Sequence, residues 1–325
     1  MSTQKPRIVF LDAATYGDVS LHSFSDRWDC TVHQVTRPVD TIQRIARETI
    51  AVTNKVPFDR AVLNSPEAGD LKLIAVAATG TDIIDREAAR QRRIRVCNVP
   101  GYATQSVAQF TMALILELAT SVGNSRASVK AGAWQGSPVF SLLTHGSVEL
   151  RGKKLGIVGY GNIGRSVAQM ARGFGMDILI AGRADNMASV PEGRISVTRL
   201  FAEADIVSLH CPLTPDTKNL INKETLSLMK PTAFLINTAR GGLVNEVALI
   251  EALRKKKIAA AALDVISIEP PPEDHPIIVA ARALDNLIVT PHTAWSAREA
   301  RERLIEEVEK NIAAFLAGRE RNRVV

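Results

Sequence analysis

Late in the chain, three side chains of complementary chemistry stand at the ends of short apolar runs: Arg240, Glu269 and His292. Arg240 lies in Asn237-Thr238-Ala239-Arg240-Gly241-Gly242, Glu269 in the dipeptide Glu269-Pro270, and His292 closes Thr290-Pro291-His292. The planar fork of an arginine matches a carboxylate and can polarise a carbonyl beside it. A histidine can hand a proton to a developing alkoxide, and a neighbouring acid fixes its tautomer and favours the charged ring. Together they suit the reduction of a 2-oxo acid. Taken singly, each has an ordinary structural use: an ion pair for Arg240, a solvated loop acid for Glu269, a structural imidazole for His292. What groups them, with Asp264, is a common position after expected strands. Open α/β sheets bind their ligands outside the carboxyl ends of those strands.

Such chemistry needs a hydride donor, and the chain carries a motif for one. Gly159-Tyr160-Gly161-Asn162-Ile163-Gly164 follows the apolar residues Leu155, Ile157 and Val158 and precedes a helical pattern over 165–172. Strand, glycine turn and helix in that order fit the pyrophosphate of a dinucleotide. Gly159 permits the tight turn, Gly161 lets the backbone approach the phosphates, and Gly164 lets helix and strand pack closely. The helix N-terminus then offers unpaired N–H groups and the positive end of its dipole to the anion.

Short strands alternate with helical patterns along most of the 325 residues, the signature of a parallel α/β fold in about two domains. Strands are expected at 7–12, 60–64, 71–77 and 94–98, with a helix over 85–91 and a break at Pro100-Gly101. A long helix over 104–120 leads to further strands at 155–158, 177–181, 205–209, 233–237, 260–265 and 287–290, with a helix at 245–254 among the connections. Everything beyond Pro291 reads as one amphipathic helix, with Leu304, Ile305, Val308, Ile312 and Phe315 at helical spacing. It is expected to return to the first unit. The expected architecture is α/β with two Rossmann-like, doubly wound parallel-sheet domains. Residues 1–101 plus 291–325 form a discontinuous substrate-binding domain, residues 102–290 the dinucleotide-binding domain, and a cleft between them holds the chemistry.

Composition narrows the classes further. With 46% hydrophobic and 23% charged residues the chain is ordinary for a globular protein, which argues against disorder. No basic-then-apolar leader opens it. The longest apolar run, 110–122, contains Glu117 and falls short of a membrane span, so no membrane partner is expected. Cys30, Cys97 and Cys211 are widely spaced, and neither they nor the six histidines show metal-ligand spacing; reduced thiols point to the cytoplasm. The net charge of +6 gathers at 90–95, 254–257 and 319–323. Without interleaved aromatics or a recognition motif these clusters argue against nucleic acid. A modest positive field would help attract small anionic substrates.

Taken in order, the motifs resemble those of the D-isomer-specific 2-hydroxyacid dehydrogenases along nearly the whole chain. The matching stretches are Ala78-Thr79-Gly80-Thr81-Asp82, residues 159–164, His210-Cys211-Pro212-Leu213-Thr214, residues 237–242, Ala262-Leu263-Asp264-Val265, Glu269-Pro270 and Thr290-Pro291-His292. Thr53-Asn54-Lys55-Val56, Ser106-Val107-Ala108-Gln109 and Trp295-Ser296-Ala297-Arg298-Glu299-Ala300 are most similar to the glycerate dehydrogenase, or hydroxypyruvate reductase, branch. The resemblance implies hydride transfer between NADP(H) or NAD(H) and a small 2-oxo or D-2-hydroxy acid, such as hydroxypyruvate/D-glycerate or glyoxylate/glycolate. It implies that Arg240 binds substrate, Glu269 supports, and His292 is the acid/base. Asp264 would hold the nicotinamide carboxamide, and Asn162 and Ile163 would lie against the pyrophosphate. Cys211 would shape the adenine-side wall with His210, and Thr238 and Ala239 would border the cofactor. Backbone N–H groups near Thr79, Gly80 and Thr81 would receive the substrate carboxylate. Lys55 and Trp295 read equally as pocket lining or as a surface lysine and a core aromatic. A homodimer is also implied, and Trp134, Val139, Phe140 and Leu142, within 121–150, are more apolar than a free loop requires.

One departure bears on the cofactor. NAD-preferring dinucleotide folds place an acid on the ribose hydroxyls, about 20 residues past the first glycine. Here that strand ends Ile180-Ala181-Gly182-Arg183. Gly182 makes room for a 2′-phosphate and Arg183 can pair with it, so NADP(H) is favoured. Asp185 can still reach a ribose, which keeps NAD(H) open. A reading from another class is a dinucleotide-sensing corepressor or scaffold on the same fold. The intact Arg240, Glu269 and His292 set argues against it, because a sensor needs no proton donor.

Overall fold

The computed structural model describes residues 5–182 and 192–325. Two compact units divide it: Met1–Ala103 with Ser296–Val325, and Thr104–Trp295.

In the first unit, five parallel strands run β1 (Arg7–Phe10), β2 (Asp29–Val32), β3 (Ile50–Thr53), β4 (Leu73–Val76) and β5 (Arg95–Cys97). Their order across the sheet is β2-β1-β3-β4-β5. β3 and β4 are buried at every position, as strands covered on both faces should be. The order reverses between β1 and β3, and at their carboxyl ends the buried Asp12 accepts hydrogen bonds from the N–H groups of Asn54 (2.9 Å) and Lys55 (2.6 Å). Burial still pushes the Asp12 carboxyl above its usual range, against the pull of these bonds.

In the second unit, six parallel strands follow: β6 (Lys154–Val158), β7 (Asp177–Ile180), β8 (Ile206–Leu209), β9 (Phe234–Asn237), β10 (Ala260–Leu263) and β11 (Leu287–Val289). Their order is β11-β10-β9-β8-β6-β7, so the winding reverses between β6 and β8. A crevice at that reversal is where open α/β sheets bind dinucleotides. The helix Thr104–Thr120 buries Val107, Ala108, Met112, Leu114 and Ile115, and it packs on the helix Asn162–Gly173 that leaves the glycine turn. Among the described residues no single helix is long and apolar enough to cross a membrane.

Three local expectations change. Residues 60–64 are a helix, Arg60–Asn64, rather than a strand. Asp59 caps it by accepting from the N–H of Val62 at 2.9 Å, while Val62 and Leu63 are buried, and so short an apolar run has no period to separate helix from strand. The final helix begins at Arg298, because residues 291–297 are an irregular segment tied to Asp264. β2 and β3 have no counterpart in the sequence reading. β2 is a half-exposed sheet edge with a polar sequence, and β3 is an apolar run too short to declare its period.

Candidate active site

β9, β10 and β11 lie side by side, and Leu263 pairs with Asn237 on one flank and Val289 on the other. Residues just past these positions therefore leave one edge of the sheet together. The ladder continues beyond the strands, with Asp264 N donating to Asn237 O and His292 N to Asp264 O, each at 2.9 Å. Arg240, Asp264 and His292 thus emerge from three adjacent strand ends.

His292 is bonded through Nδ1 to Glu269 Oε2 at 2.6 Å, and both side chains are partly exposed. Glu269 Oε1 accepts from Ile266 N at 2.9 Å, which anchors the acid to its own loop. With Nδ1 engaged, Nε2 is the nitrogen left for chemistry. The His292 backbone lies in the left-handed region at φ 52°, a conformation that costs a non-glycine residue about 1–2 kcal/mol. Nearby bonds offset it. His292 N also donates to Thr290 O at 3.0 Å, and Trp295 Nε1 donates to His292 O at 2.9 Å.

Asp264 pins the segment that follows. Oδ1 accepts from Thr290 Oγ1 (2.7 Å) and Thr293 N (2.9 Å), and Oδ2 from Ala294 N (2.9 Å). Its burial pushes the carboxyl above the usual range, opposed by these bonds and by the nearby His292. The sequence reading missed this pinning role and those of Thr290 and Trp295. Polar residues crowded after a strand were the only signal. Arg240 is set by Asn237, fully buried, whose side chain accepts from Ala239 N (3.0 Å) and donates to Arg240 O (2.8 Å). Arg240 Nη1 donates to Ala239 O at 2.7 Å, and Thr238 Oγ1 bonds Thr111 Oγ1 at 3.0 Å.

At the reversal between β6 and β8 sits the glycine turn. Gly159 has φ 98°, and a Cβ there would stand 2.5 Å from the backbone of His210 and Cys211, so only glycine fits. A Cβ on Gly164 would meet Gly159 O at 2.3 Å, which is the close helix–strand packing the motif implies. Gly161 caps the helix Asn162–Gly173 and faces outward; Asn162 is exposed and Ile163 half-buried. Burial pushes the Cys211 thiol up to about 11, so it stays protonated near neutrality.

His210 Nε2 bonds Ser208 Oγ at 2.9 Å, while its Nδ1 is shut from solvent with no hydrogen-bond partner among the described residues. Burial lowers this imidazole from 6.5 to about 4. Between those values the unfolded chain binds more protons than the native one, so stability falls as pH drops from about 6.5 towards 4. The loss is at most about 3 kcal/mol. Denaturant unfolding at pH 7 and pH 4.5 should show a smaller loss for His210→Gln than for the parent; equal losses would remove His210 as the cause.

Thr79, Gly80 and Thr81 belong to the first unit, past the carboxyl end of β4. Thr79 Oγ1 donates to Val99 O at 2.9 Å, and Thr81 is buried and accepts from Arg86 Nη2. Gly182 closes β7 with its N–H on Ile195 O at 2.8 Å, whereas Arg183 and Asp185 lie outside the described residues.

Comparison with known proteins bears on this arrangement. Residues 112–294 match the family described as D-isomer specific 2-hydroxyacid dehydrogenase, NAD binding domain. The chain is 38% identical over 317 residues to a glycerate dehydrogenase of Methylorubrum extorquens, covering 97% of this chain and 98% of that one. A hydroxypyruvate reductase of Blautia hydrogenotrophica is 35% identical, over 96% of this chain and 97% of its own. Among solved structures, the TT0316 protein of Thermus thermophilus superposes with a TM-score of 0.85 at 37% identity, covering 98% of this chain and 100% of that one. The relatives are enzymes, so the sensing reading is not favoured. With Glu269 bonded to His292 beyond β11 and the glycine turn at the sheet reversal, the chain belongs to the D-isomer specific 2-hydroxyacid dehydrogenase family, in its glycerate dehydrogenase/hydroxypyruvate reductase branch, and is a nicotinamide dinucleotide-dependent oxidoreductase.

Proposed function

We propose that this dehydrogenase reduces hydroxypyruvate, with glyoxylate as a second substrate, and prefers NADP(H) to NAD(H). The observation that carries the chemistry is the 2.6 Å bond between Glu269 and His292 at the end of β11. The residues of the turn suit the cofactor: among the described residues a Cβ on Gly161 would meet no atom within 4 Å, and the first helical turn beyond it has neither an acidic residue nor a side-chain cap. Its first N–H groups lack intrahelical acceptors and suit an anion. When bound, the cofactor supplies the hydride. Arg240 binds the substrate carboxylate and polarises the C2 carbonyl. His292 Nε2 delivers the proton to the carbonyl oxygen, and Glu269 stabilises the charged ring before that transfer. Asp264 has acceptor capacity beyond its three bonds for a carboxamide N–H.

The cofactor preference rests on Gly182 and Arg183 in the sequence Ala181-Gly182-Arg183. Steady-state kinetics with NADPH and NADH, each with hydroxypyruvate, glyoxylate and pyruvate, tests both proposals. A lower KM for NADPH and the highest kcat/KM with hydroxypyruvate are expected. Arg183→Ala should raise the NADPH KM about 10- to 100-fold, one charge-assisted bond, and hardly change that of NADH. A lower parental KM for NADH would reject the preference while leaving the reductase intact.

We further propose a cytoplasmic homodimer, with all three thiols unbridged. Beyond the helix Val122–Lys130 the chain exposes Phe140 (92%) and Leu143 (87%). Trp134 Nε1 donates to Phe140 O at 3.0 Å, which holds these apolar groups on one segment. Exposed apolar side chains gathered on one segment suit a second copy of the chain. Light scattering should give a dimer mass for the parent and a monomer mass for the Phe140→Glu, Leu143→Glu double variant. A monomeric parent would end the proposal.

A further inference from the structure

The loop that carries Glu269 is held from behind by a second carboxylate. Glu246 opens the helix Glu246–Arg254, next to the cap Asn245, whose side chain accepts from Ala248 N at 3.1 Å. An acid here would ordinarily be explained by the helix dipole alone. Instead its two oxygens close on one residue of another loop. Ser267 N donates to Oε1 at 2.7 Å, and Ser267 Oγ to Oε2 at 3.0 Å. The Glu246 side chain is only 10% exposed. His275 seals the cluster, with Nε2 3.4 Å from Ser267 Oγ and 3.7 Å from Glu246 Oε2. Among the described residues its Nδ1 has no hydrogen-bond partner, so the ring meets polar groups only through Nε2, which faces this pair.

Ser267 matters because of its neighbours. Its N–H goes to Glu246, while the preceding N–H, of Ile266, goes to Glu269 Oε1 at 2.9 Å. Two carboxylates thus draw on successive N–H groups of one loop. The peptide between them also lies flat on the residue after Arg240, for a Cβ on Gly241 would stand 2.0 Å from Ile266 C and O. Moving Ser267 moves Ile266, and with it the anchor that sets Glu269 Oε2 at 2.6 Å from His292.

We propose that Glu246 is a positioning residue for the reaction, acting through Ser267 to hold Glu269 against His292. The inference rests on the acid/base reading of Glu269 and His292. Among the described residues Glu269 contacts His292 at Nδ1 and Asp264 is close enough to feel its charge, and Asp264 takes no hydrogen bond from Glu246 or Ser267 in this arrangement. Removing the Ser267 acceptor lets the Ile266–Ser267 peptide shift and loosens the Glu269 contact.

The test is the pH profile of kcat/KM for 2-oxo acid reduction in four variants. Glu246→Ala should lower the rate about tenfold and move the alkaline limb to lower pH, towards that of Glu269→Gln. Glu246→Gln keeps an acceptor for Ser267 N–H and should restore most of both. The Glu246→Ala, Glu269→Gln pair should match Glu269→Gln alone, because both changes act on one contact. A Glu246→Ala profile with the parental limb, or effects that simply add in the pair, would overturn the proposal. Should Glu246→Ala fail to fold, Ser267→Ala removes only the Oγ bond and should shift the limb part of the way; an unmoved limb there would overturn it equally. If Glu269→Gln alone leaves the limb in place, the acid/base reading fails first and takes this inference with it.

Discussion

His292→Asn should lower kcat for 2-oxo acid reduction by about 10²- to 10⁴-fold, the range contributed by a positioned general acid. Asparagine is the informative replacement because it tolerates the left-handed backbone that this position requires, at φ 52°. His292→Ala would add backbone strain of about 1 kcal/mol to the loss of the proton donor, and the two effects would be confounded. The dissociation constant for the dinucleotide, read by fluorescence titration, should stay within about threefold of the parent, because the residues about the glycine turn are unchanged. The pH dependence adds a second readout. In the parent, reduction consumes a proton and oxidation releases one, so reduction should slow and oxidation speed up as pH rises. Both limbs should flatten in the variant. A near-parental kcat would take the acid role away from His292.

Arg240 supports the second large effect. Truncating one partner of a desolvated, hydrogen-bonded charge pair costs about 2–5 kcal/mol, so Arg240→Ala should lose about 30- to 5,000-fold in kcat/KM. The loss should fall on both constants, since the guanidinium binds the carboxylate and polarises the carbonyl. Arg240→Lys keeps the charge but not the planar fork, and it should recover only about tenfold of the deficit. Asn237 holds the Arg240 segment through backbone groups that neither substitution alters, so the fold should survive both. Unchanged rate and KM in Arg240→Ala would remove the residue from the site.

The parts of this molecule that sequence makes legible are those in which one residue type is forced by the backbone or by chemistry. Gly159 and Gly164 are such positions, because a Cβ at either would collide with main-chain atoms. Arg240, Glu269 and His292 were readable as a set from their places after strands, and the structure puts Glu269 on His292 directly. The support beneath them was not readable. Asp264 receives the N–H groups of Thr293 and Ala294, and no side-chain pattern records a backbone donor. The same holds for Glu246, whose place at a helix start already has a sufficient explanation in the dipole. Short elements failed for a different reason. The helix Arg60–Asn64 and the strand Ile50–Thr53 are too brief for a period of 3.6 or 2 to show itself. Capping by Asp59 decides the first, and pairing to β1 and β4 the second.

The close approach of Gly159 to residues 210–211 is a matter of backbone: the three atoms nearest a Cβ built on Gly159 are main-chain atoms of His210 and Cys211. That approach therefore does not depend on which side chain stands at 211, and the side chain itself is half-buried against the core of the second unit. Residue 211 is a dial that can be turned without retuning the phosphate seat. Substitutions there should redistribute affinity among cofactor analogues that differ at the ring and leave those that differ only at the diphosphate alike.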